Sequence, residues 1–310
     1  MCTVIQPGLL STVQDQGRQG YRAFGMPASG VMDRYAATMA NILTNNPATA
    51  AVLEMTLLGG RFRFASEAYI AIAGADMQAR LNGQPLQNWS AVYVPPDSEL
   101  VFDRAADGCR SYLALHGGIA EPSVLGSAST YTRAALGGLD GRALRADDVL
   151  RIGRSAALPS ARRELPRELV PRYGSEVRLR VILGPQETAF TAEGLRTLFS
   201  GAFKVSPRND RMGILMEGPT VQHVSGADII SDAIAAGAIQ VPGDGHPIVM
   251  MADCQTTGGY AKIGFVISAD LPRLAQARAG DGVSFVESSD EEAVAALAAE
   301  ERNYARASAA

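Results

Sequence analysis

The residues best able to do chemistry are concentrated in Met250–Gly264, MMADCQTTGGYAKIG. A carboxylate (Asp253), two hydroxyls (Thr256, Thr257), a glycine pair (Gly258, Gly259) and a lysine (Lys262) lie between two apolar runs. The apolar runs read as buried strands. Glycine permits positive φ and close backbone approach, so successive amides at Gly258-Gly259 could turn inward as an anion-binding concavity. Lys262 is one of only two lysines among 28 basic residues. A compact point charge is therefore kept where the composition otherwise favours the planar guanidinium. The plainer alternative is a β-turn with a solvated lysine.

A second cluster is Arg208-Asn209-Asp210-Arg211. Two arginines, an amide and a carboxylate can grip a planar carboxylate or phosphate through paired hydrogen bonds. They can equally form surface ion pairs of little energetic weight. A third candidate is Asp33, which follows the glycine-rich stretch Thr12–Gly30 and precedes the helical pattern Arg34–Leu43. Asp33 reads as the N-cap of that helix, and capping leaves ligand contact open.

Other chemistries lack their signatures. The chain has no G-x-S-x-G, no G-x-x-x-x-G-K-[ST] and no lysine flanked by methionine as biotin attachment requires. His116, His223 and His246 show no ligand spacing to one another or to Cys2, Cys109 and Cys254, so no metal site is expected. Three well-separated cysteines suit a reducing compartment. A net charge of −4 without long like-charge runs argues against nucleic acid. No apolar run has membrane-spanning length and no export signal opens the chain, so a soluble cytoplasmic protein is expected.

These side chains need β scaffolding. Short apolar or alternating runs recur at Thr3–Ile5, Arg61–Phe64, Ala68–Ala73, Ala91–Val94, Glu99–Phe102, Ser111–Leu115 and Val149–Ile152. Asn82-Gly83 marks a turn, and Gly117-Gly118 and Ser127–Thr132 interrupt the pattern. Ser155–Tyr173, rich in Arg and Pro, reads as a linker. Beyond it, strands are predicted at Val177–Leu183, Ile214–Met216, Ile239–Val241, Ile248–Met251, Ile263–Ile267 and Val283–Val286. Helices are predicted at Phe190–Phe199 and Asp270–Arg278, the second capped by Asp270 with Pro272 in its first turn. The expected layout is a β domain over 1–160, a second over 174–289, and a helical or disordered tail over 290–310. Many short strands of this spacing favour barrels or sandwiches, with few helices.

Several phrases, taken together, carry a resemblance. They are P-x-S-G-x-M-D (Pro27–Asp33), V-L-G-S-x-S-T (Val124–Thr130), L-G-G-x-x-G-R-x-L (Leu136–Leu144) and S-x-x-x-D-R-M-G-x-x-x-E-G-P (Ser206–Pro219). G-x-I-Q-V-P (Gly237–Pro242) and D-x-Q-T-T-G-G-Y-x-K-I (Asp253–Ile263) complete the set. In this order they resemble the family of the bacterial 5-oxoprolinase C subunit, also called allophanate hydrolase subunit 2 or the biotin-dependent carboxyltransferase-like family. The resemblance implies two tandem cyclophilin-like β-barrels. It implies an enzyme subunit, inactive alone, that joins the B subunit (allophanate hydrolase subunit 1-like) and the A subunit in a hetero-oligomer. The implied reaction is the ATP-dependent opening of 5-oxoproline to L-glutamate, with Mg2+ accompanying ATP in the complex.

An unactivated lactam is a poor electrophile, and coupling to ATP converts its amide oxygen into a leaving group. Such chemistry needs cations and backbone donors around developing oxyanions. On this reading Lys262 and Arg211 stabilise charge and Asp253 orients an amide N–H or water. Thr256, Thr257, Gly258 and Gly259 form a backbone cradle. Ser29, Gly30, Asp33, Asn209, Asp210, Gln255 and Tyr260 line the substrate site. Two alternatives remain: carboxyl transfer with biotin in a urea-type carboxylase, or a regulatory module antagonising a kinase inhibitor. The chain departs from the family pattern at Ala261, where proline is usual, and at Ala128, where arginine is frequent. The first departure is expected to loosen the turn, and the second to remove an anion contact.

Overall fold

A computed structural model of the chain describes residues 1–153, 159 and 161–309. The residues group into two compact units. Met1–Arg18, Ser29–Arg172 and Glu301–Ala310 form the first, and Gln19–Ala28 and Tyr173–Glu300 the second. The fold is mainly β.

The first unit has two six-stranded sheets. One runs Val149–Leu150, Cys2–Gln6, Arg61–Phe64, Ser98–Val101, Arg80–Leu81, Gln84–Pro85. The other runs Arg163–Glu164, Ser90–Val94, Ala68–Asp76, Asp107–Leu115, Val52–Thr56, Leu10–Gln14. Alternation explains the first sheet: in Arg61–Phe64 the two phenylalanines are buried and the two arginines exposed. Phe62, Phe64 and Leu100 meet Leu53, Ile70, Ile72 and Leu113 from the second sheet in one apolar core. Ala68–Asp76 is buried at every position before Asp76 because helix α1 (Arg34–Leu43) covers its other face. Asp33 caps that helix, accepting from Ala36 N at 2.9 Å.

Where tandem barrels were expected, this unit has a pair of sheets whose ends stay unjoined among the described residues. Leu10–Gln14, whose second half falls in the glycine-rich stretch Thr12–Gly30, is a strand of the second sheet. The expected linker is also largely structured. Residues 154–158 and 160 lie outside the described residues, but Arg163–Glu164 pairs with Ser90 and Ala91, and Leu165 and Leu169 are buried. Proline and arginine dominate the composition there, so two isolated leucines gave no periodic signal.

The second unit is built on a closed barrel of seven strands. The order is Glu176–Leu183, Lys262–Val266, Ala238–Gln240, Ile248–Met250, Gly213–Glu217, Phe203–Val205 and Gly282–Glu287. Closure pairs the first and last of these in parallel, and the other pairings are antiparallel. A two-stranded ribbon, Asp228–Ala233 with Thr257–Tyr260, is added to it. Helix α2 (Ala192–Ser200) is capped by Thr191, whose hydroxyl accepts from Gly194 N at 2.9 Å.

Helix α3 (Leu271–Ala275) has Pro272 in its first turn, but the Asp270 carboxylate does not cap it. Asp270 instead accepts from Arg180 N at 2.9 Å, Nε at 3.0 Å and Nη2 at 2.7 Å. Helix α4 (Asp290–Ala309) opens with a capping box. Glu292 N donates to Ser289 Oγ, and Glu292 Oε2 accepts from Ser289 N, both at 3.3 Å. No described helix is long and apolar enough to cross a membrane.

Candidate functional site

The ribbon determines the surroundings of Lys262. Its strand Thr257–Tyr260 leads directly into the barrel strand that begins at Lys262, and its partner Asp228–Ala233 carries Asp232. Lys262 Nζ lies 2.6 Å from Asp232 Oδ2 and 2.9 Å from the Ala233 carbonyl oxygen. The lysine is 2% exposed in its side chain and the aspartate 49%. An ammonium has three donors, and two are used, so one N–H is left without a partner among the described residues. Gln186 braces the pair: its Oε1 accepts from Lys262 N at 3.3 Å and its Nε2 donates to Asp232 Oδ2 at 3.2 Å. The Lys262 ammonium, with the Ala233 amide behind it, holds the Asp232 carboxyl below its ordinary pKa.

The glycine pair does something other than expected. Gly258 and Gly259 are strand residues without positive φ, and the register pairs Asp232↔Gly258 and Ala233↔Thr257. Their backbone serves the ribbon, so the inward-facing amide cradle is not formed there. A Cβ at 258 would come within 2.3 Å of Ile234 Cδ1, so the Ile234 side chain packs into the space that the glycine leaves. Thr256 contributes its carbonyl, which accepts from Ile234 N at 2.9 Å, and Thr257 and Tyr260 are exposed. Gln255 is half-buried.

Arg211 and Asp253 are brought together directly. The guanidinium donates through Nε to Oδ2 at 2.9 Å and through Nη2 to Oδ1 at 3.1 Å, and Asp253 N donates to Arg211 O at 2.9 Å. Both side chains are buried. The roles expected separately for a cation and an orienting carboxylate thus fall on one fixed fork that ties two loops together. Asn209 Nδ2 donates to Ser206 O at 2.5 Å, and Asp210 Oδ1 accepts from Met212 N at 2.7 Å. Both therefore shape their own loop.

Ser29, Gly30 and Asp33 belong to the first unit. Ser29 is buried with φ 55°, and its hydroxyl has no hydrogen-bond partner among the described residues. Gly30 has φ 95°, and a Cβ would press on Gly17 N at 2.9 Å, so only glycine fits. A cross-strand pair supports this segment. Tyr112 Oη accepts from Asp33 N and donates to Glu54 Oε2, which also accepts from Met32 N, each at 2.8 Å. Burial pushes the Tyr112 phenol well up from its ordinary pKa.

Residues 24–287 match the family described as carboxyltransferase domain, subdomain A and B. The chain is 35% identical to the C subunit of 5-oxoprolinase from Escherichia coli, over 98% of its own length and 96% of that protein's. It is 34% identical to the C subunit of 5-oxoprolinase from Haemophilus influenzae, over 89% of this chain and 87% of that one. The chain belongs to this carboxyltransferase family. In crystals of the Kluyveromyces lactis urea amidolyase, a segment spanning 20% of that protein superposes on 99% of this chain, with TM-score 0.93 and 29% identity.

Membership gives the two departures from the family pattern a structural meaning. Ala261 is fully buried, and its N–H donates to Ala227 O at 3.0 Å, a bond that the family's usual proline cannot make. The position joins two strands, so no turn is loosened. Ala128 is buried against the core of the first unit, and its N–H donates to Asp15 Oδ2 at 2.6 Å.

Sequence reasoning passed over three side chains that complete the barrel end. Asp232 and Gln186 flank Lys262, each from a stretch distant in sequence from it. Arg22, from the segment 19–28, donates to the Ile234 carbonyl and hydrogen-bonds Cys254. An arginine in the glycine-rich stretch was its only signal.

Proposed function

We propose that this chain is the C subunit of 5-oxoprolinase, working with the A and B subunits in the ATP-dependent opening of 5-oxoproline to L-glutamate. Family membership and a near full-length relative bearing that name support the reading. The observation that carries it is Lys262: a buried amine paired with Asp232, with one donor unspent. A lactam carbonyl oxygen meeting that donor gains a charge-assisted hydrogen bond that strengthens as negative charge develops on oxygen. Asp232, Ala233 and Gln186 fix the ammonium beforehand, so little reorganisation is needed when the oxygen arrives. The Arg211–Asp253 fork acts as a positioning pair, holding the loop before Gly213–Glu217 to the loop after Ile248–Met250.

ATP does not fit the residues of this chain at the expected place. The glycine pair is strand, and no phosphate-loop sequence is present. We assign the nucleotide and its Mg2+ to a partner chain of the complex and derive no step through them. The chain alone is then inactive, and its interface with the B subunit exceeds about 1,000 Å2, as stable interfaces do. Co-expression of the two followed by size-exclusion chromatography tests the assembly; separate elution at micromolar concentration refutes it. Lys262→Ala in the reconstituted complex tests the site, with loss of 5-oxoproline turnover and an unchanged circular dichroism spectrum as the expected result.

The likeness to urea amidolyase supports one second reading, carboxyl transfer with biotin. A partner bearing biotin carboxylase and biotin-carrier sequences, together with urea-dependent turnover, identifies that case.

A further inference from the structure

Gln240, the polar side chain of the G-x-I-Q-V-P phrase (Gly237–Pro242), takes no part in the contacts described so far. It ends the barrel strand Ala238–Gln240 and is 3% exposed. The neighbouring strand Lys262–Val266 pairs Phe265 with Ala238 and Gly264 with Ile239, then skips Ile263, so that Lys262 stands opposite Gln240. A regular ladder would have set Gln240 against Ile263. The bulge therefore brings two buried polar side chains onto one face of the sheet as direct partners, whose Cβ atoms in such pairs lie about 5 Å apart.

The ribbon meets both side chains at one rung. Asp232 and Gly258 are register partners in it. Asp232 Oδ2 lies 2.6 Å from Lys262 Nζ, and a Cβ on Gly258 would stand 3.0 Å from Gln240 Nε2. Chemistry fixes the orientation of the amide: Gln240 Nε2 donates to Tyr260 O at 3.2 Å, and a carbonyl oxygen can only accept. Gln240 Oε1 has no hydrogen-bond partner among the described residues and is not sealed from solvent. An amide oxygen in so enclosed a residue ordinarily has a donor. One unused acceptor thus stands beside the unused donor of Lys262.

The amide of a small ring is held cis, so its C=O and N–H leave the ring along one edge, an acceptor beside a donor. We propose that Gln240 is a specificity-determining residue of the Lys262 site: its Oε1 accepts the lactam N–H while Lys262 Nζ donates to the lactam oxygen. The inference rests on the 5-oxoproline reading and adds the group that selects an amide over an ester. A lactone offers the same carbonyl to Lys262 but sets a ring oxygen against Gln240 Oε1, and two acceptors then face each other unpaired.

The test uses the reconstituted complex, 5-oxoproline and its isosteric lactone, in which a ring oxygen replaces the N–H. Calorimetry should show 5-oxoproline binding about tenfold tighter than the lactone, or more. Gln240→Met keeps the length and removes the acceptor. It should abolish that preference and raise KM for 5-oxoproline about tenfold, with a smaller change in kcat. A merely structural role for the amide would weaken both ligands alike and leave their ratio unchanged. Equal binding of the two ligands by the wild-type complex overturns the inference without recourse to a variant, and so does a Gln240→Met complex that keeps the preference. No heat with 5-oxoproline at about 10 mM overturns it together with the reading on which it rests. Lys262→Ala separates the two levels. Wild-type turnover in that variant sinks the 5-oxoproline reading, whereas its loss beside an unchanged preference in Gln240→Met sinks the role of Gln240 alone.

Discussion

Asp15, half-buried in the first unit, and Lys262, buried in the second, are both held by several hydrogen bonds, yet their bonding capacity is used differently. Asp15 Oδ1 accepts from Gly17 N at 2.8 Å, Ser127 Oγ at 2.6 Å and Ser129 Oγ at 2.5 Å, while Oδ2 accepts from Ala128 N. Nothing in that network waits for a ligand. It pins the Ser127–Ser129 turn to the end of a sheet strand. Lys262 is more thoroughly enclosed but keeps a donor in hand, and its counter-ion is half in water. Both charges are tied to phrases that the family resemblance brought forward. Unspent capacity, more than burial or charge, distinguishes a group placed to act from one placed to hold.

Lys262→Met retains the length and removes the charge, and should lower turnover by the reconstituted complex by about 1,000-fold, or about 4 kcal/mol. Because Asp232 returns to solvent, the melting temperature should change little. A large drop in melting temperature with normal turnover per folded molecule would reverse the assignment. Asp253→Leu leaves Arg211 buried without its carboxylate and should cost the second unit about 3 kcal/mol in urea unfolding. The double change Arg211→Met/Asp253→Leu should recover most of that loss. Asp15→Ala strands two hydroxyls and two amides, and should cost about 2 kcal/mol, read as faster hydrogen exchange in the first unit.

The acid limb of stability sharpens the contrast more gently. The folded pKa of Asp232 lies below its unfolded value, so its contribution is present above the ordinary carboxylate value and lost as pH falls through the folded one. Wild-type protein should therefore lose slightly more stability than Lys262→Met as pH falls below about 4. The smallest effect concerns the thiols. All three cysteines are buried, and burial pushes Cys2 up to about 12 and raises Cys254. A disulfide reagent at pH 8 should label the native chain slowly and the urea-unfolded chain promptly, since only thiolate reacts.

Much of the scaffold was legible because its signals are local. The R-F-R-F alternation, the Asp33 cap and the alternating Val177–Leu183 run each report their structure within a few residues. The misread parts depend on partners distant in sequence. Gly258-Gly259 carries the composition of a turn, but Asp228–Ala233 pairs with it, and the missing Cβ makes room for Ile234. Lys262 could be singled out by its rarity, whereas Asp232 became relevant only once the ribbon placed it 2.6 Å away. Asp270 is a comparable case: its position suits a cap, but the Arg180 guanidinium competes for both its oxygens and prevails through charge. Family resemblance supplied the remaining site residues, and geometry redistributed their roles.

The interleaving of the units along the chain has a consequence for synthesis. Gln19–Ala28 belongs with residues made more than a hundred positions later, and Glu301–Ala310 belongs with the unit that holds Met1. On the ribosome the first unit is started before the second and completed after it. Its last contacts, such as the Tyr304 ring 5.7 Å from Tyr35 and Arg306 at 2.8 Å from Glu168, come within reach only once residues 301–310 have emerged. Long before that, Arg22 waits for an Ile234 carbonyl that has yet to be made. No single cut yields two self-sufficient halves. A fragment beginning at Tyr173 lacks Arg22, and one ending at Arg172 lacks Tyr304. Nascent chains therefore carry two unfinished units for most of their synthesis, and chaperone demand should persist until residues 301–310 leave the ribosome.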